Sequence, residues 1–444
     1  MADPSYSIGE RPEWRWEDVP VSDLDAGKPR PVTPAHRLRR MAGRDPHESH
    51  RAATPLELLF DLTFVIGFGV TASEFSHALA ENHIWAGLAG FAFATFAVVW
   101  AWINFTWFAS AYDTDDWVYR LTTMLQMVGV IILALGIAPM FRSIEEGEHV
   151  DNRLLVAGYV VMRIAMVFQW LRAARQDPAR RSACLAYAAA ITVAQIGWIG
   201  IIIAHTSVAM TFLLVIVMTI VEMSGPFIAE RRRGGTPWHA HHIAERYSLL
   251  VIIALGEGVV GTVASLSAVL NEQGWTIDTI AVAVAGVGLT FGMWWVYFVV
   301  PTAPLLHVHR ERSFRWGYGH IPLFGAIVAT GAGLHAAAYF IEGHSKLDSV
   351  TTVSTVAVPV GIYVLGIFGL YLILVRSFDA FHLLLLAGTI IVLGAAVALA
   401  AAGVTMAVCL VVVMLAPVVT VVGFELIGQR HADEAVSRAV SDSF

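Results

Sequence analysis

Residues 84–110, IWAGLAGFAFATFAVVWAWINFTWFAS, run for 27 positions without a charged side chain. A helix needs about 20 predominantly apolar residues to cross ~30 Å of hydrocarbon, so this stretch reads as a membrane span. Eleven more runs of that kind lie outward from it, at 57–80, 117–141, 153–172, 183–204, 208–229, 244–269, 278–301, 317–341, 352–375, 380–402 and 404–427. Only Gly403 separates the last two. The predicted fold is all-α, a polytopic membrane bundle of twelve helices.

Composition agrees with that reading, because 57% of the 444 residues are apolar and 14% are charged. A soluble chain carries about 25% charged residues. Of the 63 charged residues, 18 fall in residues 1–52. The two cysteines, Cys184 and Cys409, sit inside apolar runs and offer neither a disulfide framework nor a thiolate zinc site. A net charge of −7 gives no sign of nucleic-acid binding. Residues 1–52 contain no apolar core of a cleavable signal peptide.

Cytoplasmic loops are enriched in Lys and Arg. With the N-terminus inside, 23 of the 28 basic residues fall on the cytoplasmic side, and both termini are then cytoplasmic. The halves also resemble one another: ELLFDLTFVIG from Glu57 aligns with ERYSLLVIIALG from Glu245, WAWINFTW from Trp100 with WWVYFVV from Trp294, and Arg175 with Arg376. Six spans per unit is an even number, so the repeats, 53–233 and 234–428, enter the membrane in parallel. They are flanked by a tail at 1–52 and a short cytoplasmic tail at 429–444. The first tail is acidic over 1–27, then basic over 28–51, and its seven prolines predict disorder. The basic part suits contact with anionic lipid, although the topology rule alone also explains it.

Charged side chains at bilayer depth cost ~2.5–3.5 kcal/mol or more and face a partner or a wet cavity, which makes them the functional candidates. Glu57 and Asp61 lie a turn apart on one face of the first span. Two carboxylates so close favour a shared proton or cation. Glu257 stands twelve residues into the seventh run, inside LGEG. Arg246 is eleven residues earlier, about 16 Å along a helix, too far to neutralise Glu257, whose partner must then come from another helix. Arg163 is the one deeply placed cation, and it could bridge to Asp61, Glu257 or Glu222, either structurally or along a transport path. Glu74 and His77, three residues apart near the far end of the first span, form either a proton relay or a hydrated boundary pair.

His239, His241 and His242 precede the seventh span, and with His307, His309 and the Asp113, Asp115, Asp116 loop they are possible metal donors, though loops fix no geometry. Trp100, Trp102 and Trp107, answered by Trp294 and Trp295, read as an aromatic belt at headgroup depth. No phosphate loop, dinucleotide fingerprint, metalloprotease helix or nucleophile elbow is present, so neither an enzyme nor a cofactor is expected.

Two of these stretches carry a family likeness. TPLELLFDLTFVIGF (54–68) followed by SHAL (76–79), and HHIAERYSLLVIIALGEGVVG (241–261), resemble the two signatures of the bacterial low temperature requirement A (LtrA) family. The resemblance covers roughly residues 53–428, and its matching positions here are Glu57, Asp61, His77, His242, Glu245, Arg246, Gly256 and Glu257. Gly258 departs from the pattern, which commonly has a small polar residue there. The resemblance implies a multi-pass protein of the bacterial inner membrane linked to growth in the cold, and brings no substrate with it.

The reading is therefore a transporter-like bundle for a small solute or ion, with a polar path through Asp61, Arg163 and Glu257. The alternative is a non-transporting membrane protein that aids cold or stress adaptation through lipid or protein contacts.

Overall fold

The computed structural model describes residues 38–46, 48, 51–232, 234–300, 302–376 and 380–428. Among them are fourteen α-helices and no β-strand: α1 (Pro55–Ala80), α2 (Ile84–Tyr112), α3 (Trp117–Leu135), α4 (Ile137–Glu146), α5 (Arg153–Gln176), α6 (Arg181–Ala204) and α7 (Val208–Glu230), then α8 (Ala240–Gln273), α9 (Ile277–Phe298), α10 (Thr302–Val308), α11 (Ser313–Ile341), α12 (Ser349–Val375), α13 (Ala380–Ala401) and α14 (Met406–Gly423). Twelve segments are long and apolar enough to cross a membrane, with α3 and α4 forming the third and α9 and α10 the eighth.

The helix starts follow local chemistry. Thr54 and Glu57 form a capping box on α1, and the side chains of Asp116, Ser207 and Asp348 accept backbone N–H bonds at the starts of α3, α7 and α12. Gly403, at φ +79°, takes the left-handed conformation that separates α13 from α14, so the closely spaced last two runs are separate helices. The third run differs from expectation, because it breaks at Gly136 into α3 and α4. There α5 passes so close that a Cβ on Gly136 would lie 2.2 Å from the Leu155 nitrogen. A Cβ on Gly158 would likewise stand 2.4 Å from the Leu133 nitrogen, so small residues set this helix contact.

The core is centred on α11, which packs against α8, α12, α1 and α2 and is the most buried of the spans. Phe60, Phe64 and Phe68 of α1 and Trp102 and Phe105 of α2 fill the space around it. Ile216 and Ile220 of α7 and Leu384 and Ile391 of α13 point outward, as side chains facing lipid do.

The tail expected to be disordered over 1–52 divides differently. Residues 1–37, including the start of the basic part, and the C-terminal tail 429–444 lie outside the described residues. The described part of 38–51 is a strap across one end of the bundle. Met41 is fully buried, its N–H donates to Gln176 Oε1 at 2.6 Å, and the Arg44 N–H donates to the Ala111 carbonyl at 3.0 Å. Arg39, Arg40 and Arg51 likewise donate to protein acceptors, at Thr114, Gln176 and Ala109. The chain there offers open carbonyls at the ends of α2 and α5, which Arg51 and Arg40 meet.

Candidate functional site

Just inside the strap end, α1, α2 and α8 bring together the residues that the sequence separates by nearly two hundred positions. Glu57 and Asp61 are one turn apart on α1, and His242 and Arg246 one turn apart on α8, so two i, i+4 pairs face each other. Arg246 stands between the acids. Its Nη1 is 3.2 Å from Glu57 Oε1, and its Nη2 donates to Asp61 Oδ1. His242 Nε2 is 3.2 Å from Glu57 Oε1. Thr54 N–H donates to Glu57 Oε2 at 2.8 Å, so one carboxylate serves both the helix cap and the ion cluster. From α2, Trp102 Nε1 donates to Asp61 Oδ1 at 2.7 Å, and Thr106 Oγ1 lies 3.5 Å from Arg246 Nη2. Arg51 adds a second guanidinium, its Nη2 3.9 Å from Glu57 Oε1.

All four central side chains, Glu57, Asp61, His242 and Arg246, are fully buried. Their bonding is incomplete: Asp61 Oδ2, His242 Nδ1, Arg246 Nε and Arg51 Nε have no hydrogen-bond partner among the described residues. Buried charges are costly unless paired, so the ion pairs across α1 and α8 matter to both helices.

Asp113, on the loop after α2, belongs to the same electrostatic unit. Burial first, and the Glu57 charge second, push its carboxyl up to about 6, against the pull of Arg51. The folded protein therefore takes up a proton between the ordinary carboxylate value and about 6. Stability falls as pH rises through that window, and the cost is fully present at neutral pH. Asp113→Asn keeps the acceptor for the Asp115 N–H, 2.8 Å away, and removes the charge. It is expected to raise the apparent Tm by about one to a few degrees at pH 8 and to lose that advantage by about pH 4. Thermal melts of both proteins across pH check this, and an equal gain at both ends would remove charge as the cause.

The other candidates lie elsewhere. Arg163 on α5 meets Glu222 on α7, with Nη2 3.3 Å from Oε2. Trp100 and Trp198 donate to the same carboxylate at 2.7 and 3.1 Å, making a second, separate buried cluster. Glu257 has no hydrogen-bond or ionic partner among the described residues. It lies against Gly69 of α1, where a Cβ would be 3.5 Å from its Oε1, and Gly331 of α11 packs on its backbone. Gly69 is eight residues beyond Asp61, about 12 Å along α1. Asp61, Arg163 and Glu257 thus occupy three places, and a single path through all three is not what the helices build.

Among the described residues no hydrogen bond joins Glu74 to His77, whose ring is exposed while Glu74 is half-buried. The three histidines take different partners: His239 Nε2 is 2.8 Å from the Glu48 carbonyl, His242 turns in to Glu57, and the His241 ring lies 5.8 Å from that of His239 and 5.7 Å from that of His307. No group of three metal-ligating side chains forms among the described residues. Trp100 and Trp102, read as an aromatic belt, are fully buried acid-binding donors, whereas Trp294 and Trp295 are exposed. Indole N–H donors are the residues that sequence reasoning missed. Their signal was the run of tryptophans in a span that must pack against helices bearing carboxylates.

No solved structure matches the chain. An uncharacterised protein of Rhizobium meliloti (strain 1021) is 28% identical over 296 residues, covering 62% of this chain and 67% of that protein. Residues 52–417 match the family described as bacterial low temperature requirement A protein, a stretch that holds both the acid pair on α1 and the His–Arg pair on α8. With that match over most of its length, the chain belongs to the LtrA family of multi-pass helical membrane proteins.

Proposed function

We propose that this protein is a proton-coupled secondary carrier whose proton resides in the cluster of Arg51, Glu57, Asp61, Asp113, His242 and Arg246. One observation carries this reading, the charge count of the cluster. Three carboxylates against two guanidinium groups leave one negative charge in a buried place, and a proton on His242 or on a carboxyl cancels it. Taking up and releasing that proton changes the pairing between α1 and α8, and so couples protonation to the contact between the two helices. Glu257, unpartnered and deeper on α8, is a second place where a proton or cation can rest on the way through the bundle. The substrate class is a small solute or ion. The Lys/Arg distribution supports a bacterial inner-membrane location with both termini, and hence the strap end, cytoplasmic. The pairing of Glu57 with Glu245 and of Trp100 with Trp294 supports two parallel six-helix repeats.

The test needs no substrate. Purified protein in liposomes adsorbed on a solid-supported membrane should give a transient charge displacement after a pH jump from 8 to 6. Asp61→Asn and Glu57→Gln should abolish it, and Arg163→Gln, in the other cluster, should leave it. Absence of a displacement in the native protein, or its persistence in both acid variants, would reject the carrier reading and favour a non-transporting role in adaptation to cold or stress.

A further inference from the structure

The HHIAERYS motif has two faces, and only one enters the charge cluster. His242 and Arg246 point inward, whereas His241, Glu245 and Ser248 line a pocket of about 400 Å³ between α8, the end of α9 and α10. That volume is within the ~300–1,000 Å³ range of small-molecule sites. Glu245 is half-buried there and has no hydrogen-bond or ionic partner among the described residues.

Each hydroxyl of the pocket has an acceptor within the protein, and the Ser248 and Tyr297 hydroxyls also lie within hydrogen-bond reach of one another. Ser248 Oγ donates to the Ala244 carbonyl at 2.9 Å, and Thr302 Oγ1 to the Val300 carbonyl at 3.3 Å. Tyr297 is settled by its neighbour on α11. His320 Nδ1 is 2.9 Å from the Trp316 carbonyl, which can only accept, so Nδ1 carries the hydrogen and Nε2 offers a lone pair. Tyr297 OH, 3.1 Å from Nε2, therefore donates to it. The polar side chains that line the pocket are the Glu245 carboxylate, the His241 ring and the Ser248, Tyr297 and Thr302 hydroxyls, so its one acidic group is Glu245 and most of its polar atoms can accept. A ligand complementary to that set brings donors and positive charge.

We propose that this pocket binds a primary ammonium group, R–NH3+, through Glu245 with Ser248 and Tyr297 as acceptors. An ammonium has three donors and no acceptor, matching the pocket, whereas a quaternary amine has the charge without the donors and a phosphate has the wrong sign. The proposal is independent of proton coupling in the neighbouring cluster. Two sources share this chemistry: a free amine in solution, or the ethanolamine headgroup of a lipid at the bundle end.

Full-length protein in phosphatidylglycerol nanodiscs, titrated with ethanolamine by calorimetry, should bind it saturably in the millimolar range. Choline should bind at least about tenfold more weakly. Glu245→Gln should weaken ethanolamine by about tenfold or more, the usual consequence of losing a charge-assisted bond. Ala303→Trp, which fills the pocket and leaves the carboxylate in place, should remove binding even where Glu245→Gln alters folding. Repeating the titration in phosphatidylethanolamine nanodiscs separates the sources: a lipid ligand lowers the apparent affinity for free ethanolamine, and a soluble ligand leaves it unchanged. No saturable binding in phosphatidylglycerol, equal affinity for choline, or unchanged affinity in Ala303→Trp would each overturn the assignment.

Discussion

Arg246→Met is expected to destabilise the folded protein by about 3–5 kcal/mol, because removing one member of a buried ion cluster leaves the others uncompensated. Here the loss is felt by two acids at once. Asp61 keeps only the Trp102 N–H, at 2.7 Å, and Glu57 keeps the His242 ring, the Thr54 N–H and the more distant Arg51. Methionine fills a similar volume, so packing changes little and charge dominates. In detergent the apparent Tm should fall by roughly 5–10 °C. Arg246→Lys should fall between, since an ammonium cannot span both carboxylates as the guanidinium fork does. The double variant Asp61→Asn, Arg246→Met should recover part of the loss, and the non-additivity measures the pair directly. An unchanged Tm in Arg246→Met would mean that the acids are protonated in the resting protein, and the charge count behind the carrier reading would fail with it.

That buried charges such as Asp61 and Arg163 would need partners from other helices was legible from the sequence, because charges at bilayer depth face a partner or a wet cavity. Which partner was not legible. Arg163 had three acids within plausible reach, and the choice of Glu222 depends on how α5 and α7 are placed by contacts such as Gly158 against α3. The membrane spans were legible almost throughout, since an apolar run of ~20 residues has few alternatives in hydrocarbon. The break at Gly136 had a local signal, since Pro139 has no N–H for the Leu135 carbonyl, but the unbroken apolar run masked it, and the close approach of α5 came only with the fold. The strap was hidden because its partners are distant in sequence. Prolines and charges read as disorder locally, while the carbonyls and carboxylates that hold 38–51 are supplied by α2, α5 and the loop before α3.

Asp116 is where the strap meets both α3 and α5, and Asp116→Ala is expected to release its Arg39 end. Asp116 accepts the Tyr119 N–H at 2.9 Å as the cap of α3, pairs with Arg172 of α5, and accepts the Arg39 N–H of the strap at 3.1 Å. Burial alone would raise its carboxyl. The bonds from Arg172, the Tyr119 N–H and the Arg39 N–H outweigh that, and hold it below the usual carboxylate range. This contribution is present above the ordinary carboxylate value and is lost as pH falls through the depressed one. Alanine removes the cap, worth about 1 kcal/mol, and leaves Arg172 buried without its acid, for a total of about 3–5 kcal/mol. Trypsin should then cut at Arg39, Arg40 and Arg44 much faster than in the native protein, with the bundle intact. Asp116→Asn keeps the cap and loses the ion pair, so intermediate cleavage separates the two contributions. The release also reaches the cluster. Arg51 stands at the end of the same segment, 3.9 Å from Glu57, and if it leaves with the strap the cluster holds one more uncompensated negative charge. Its proton should then be held more tightly, moving the pH-evoked charge displacement to higher pH. Faster cleavage with no such shift would make the strap a mechanical clamp that is independent of the cluster it covers.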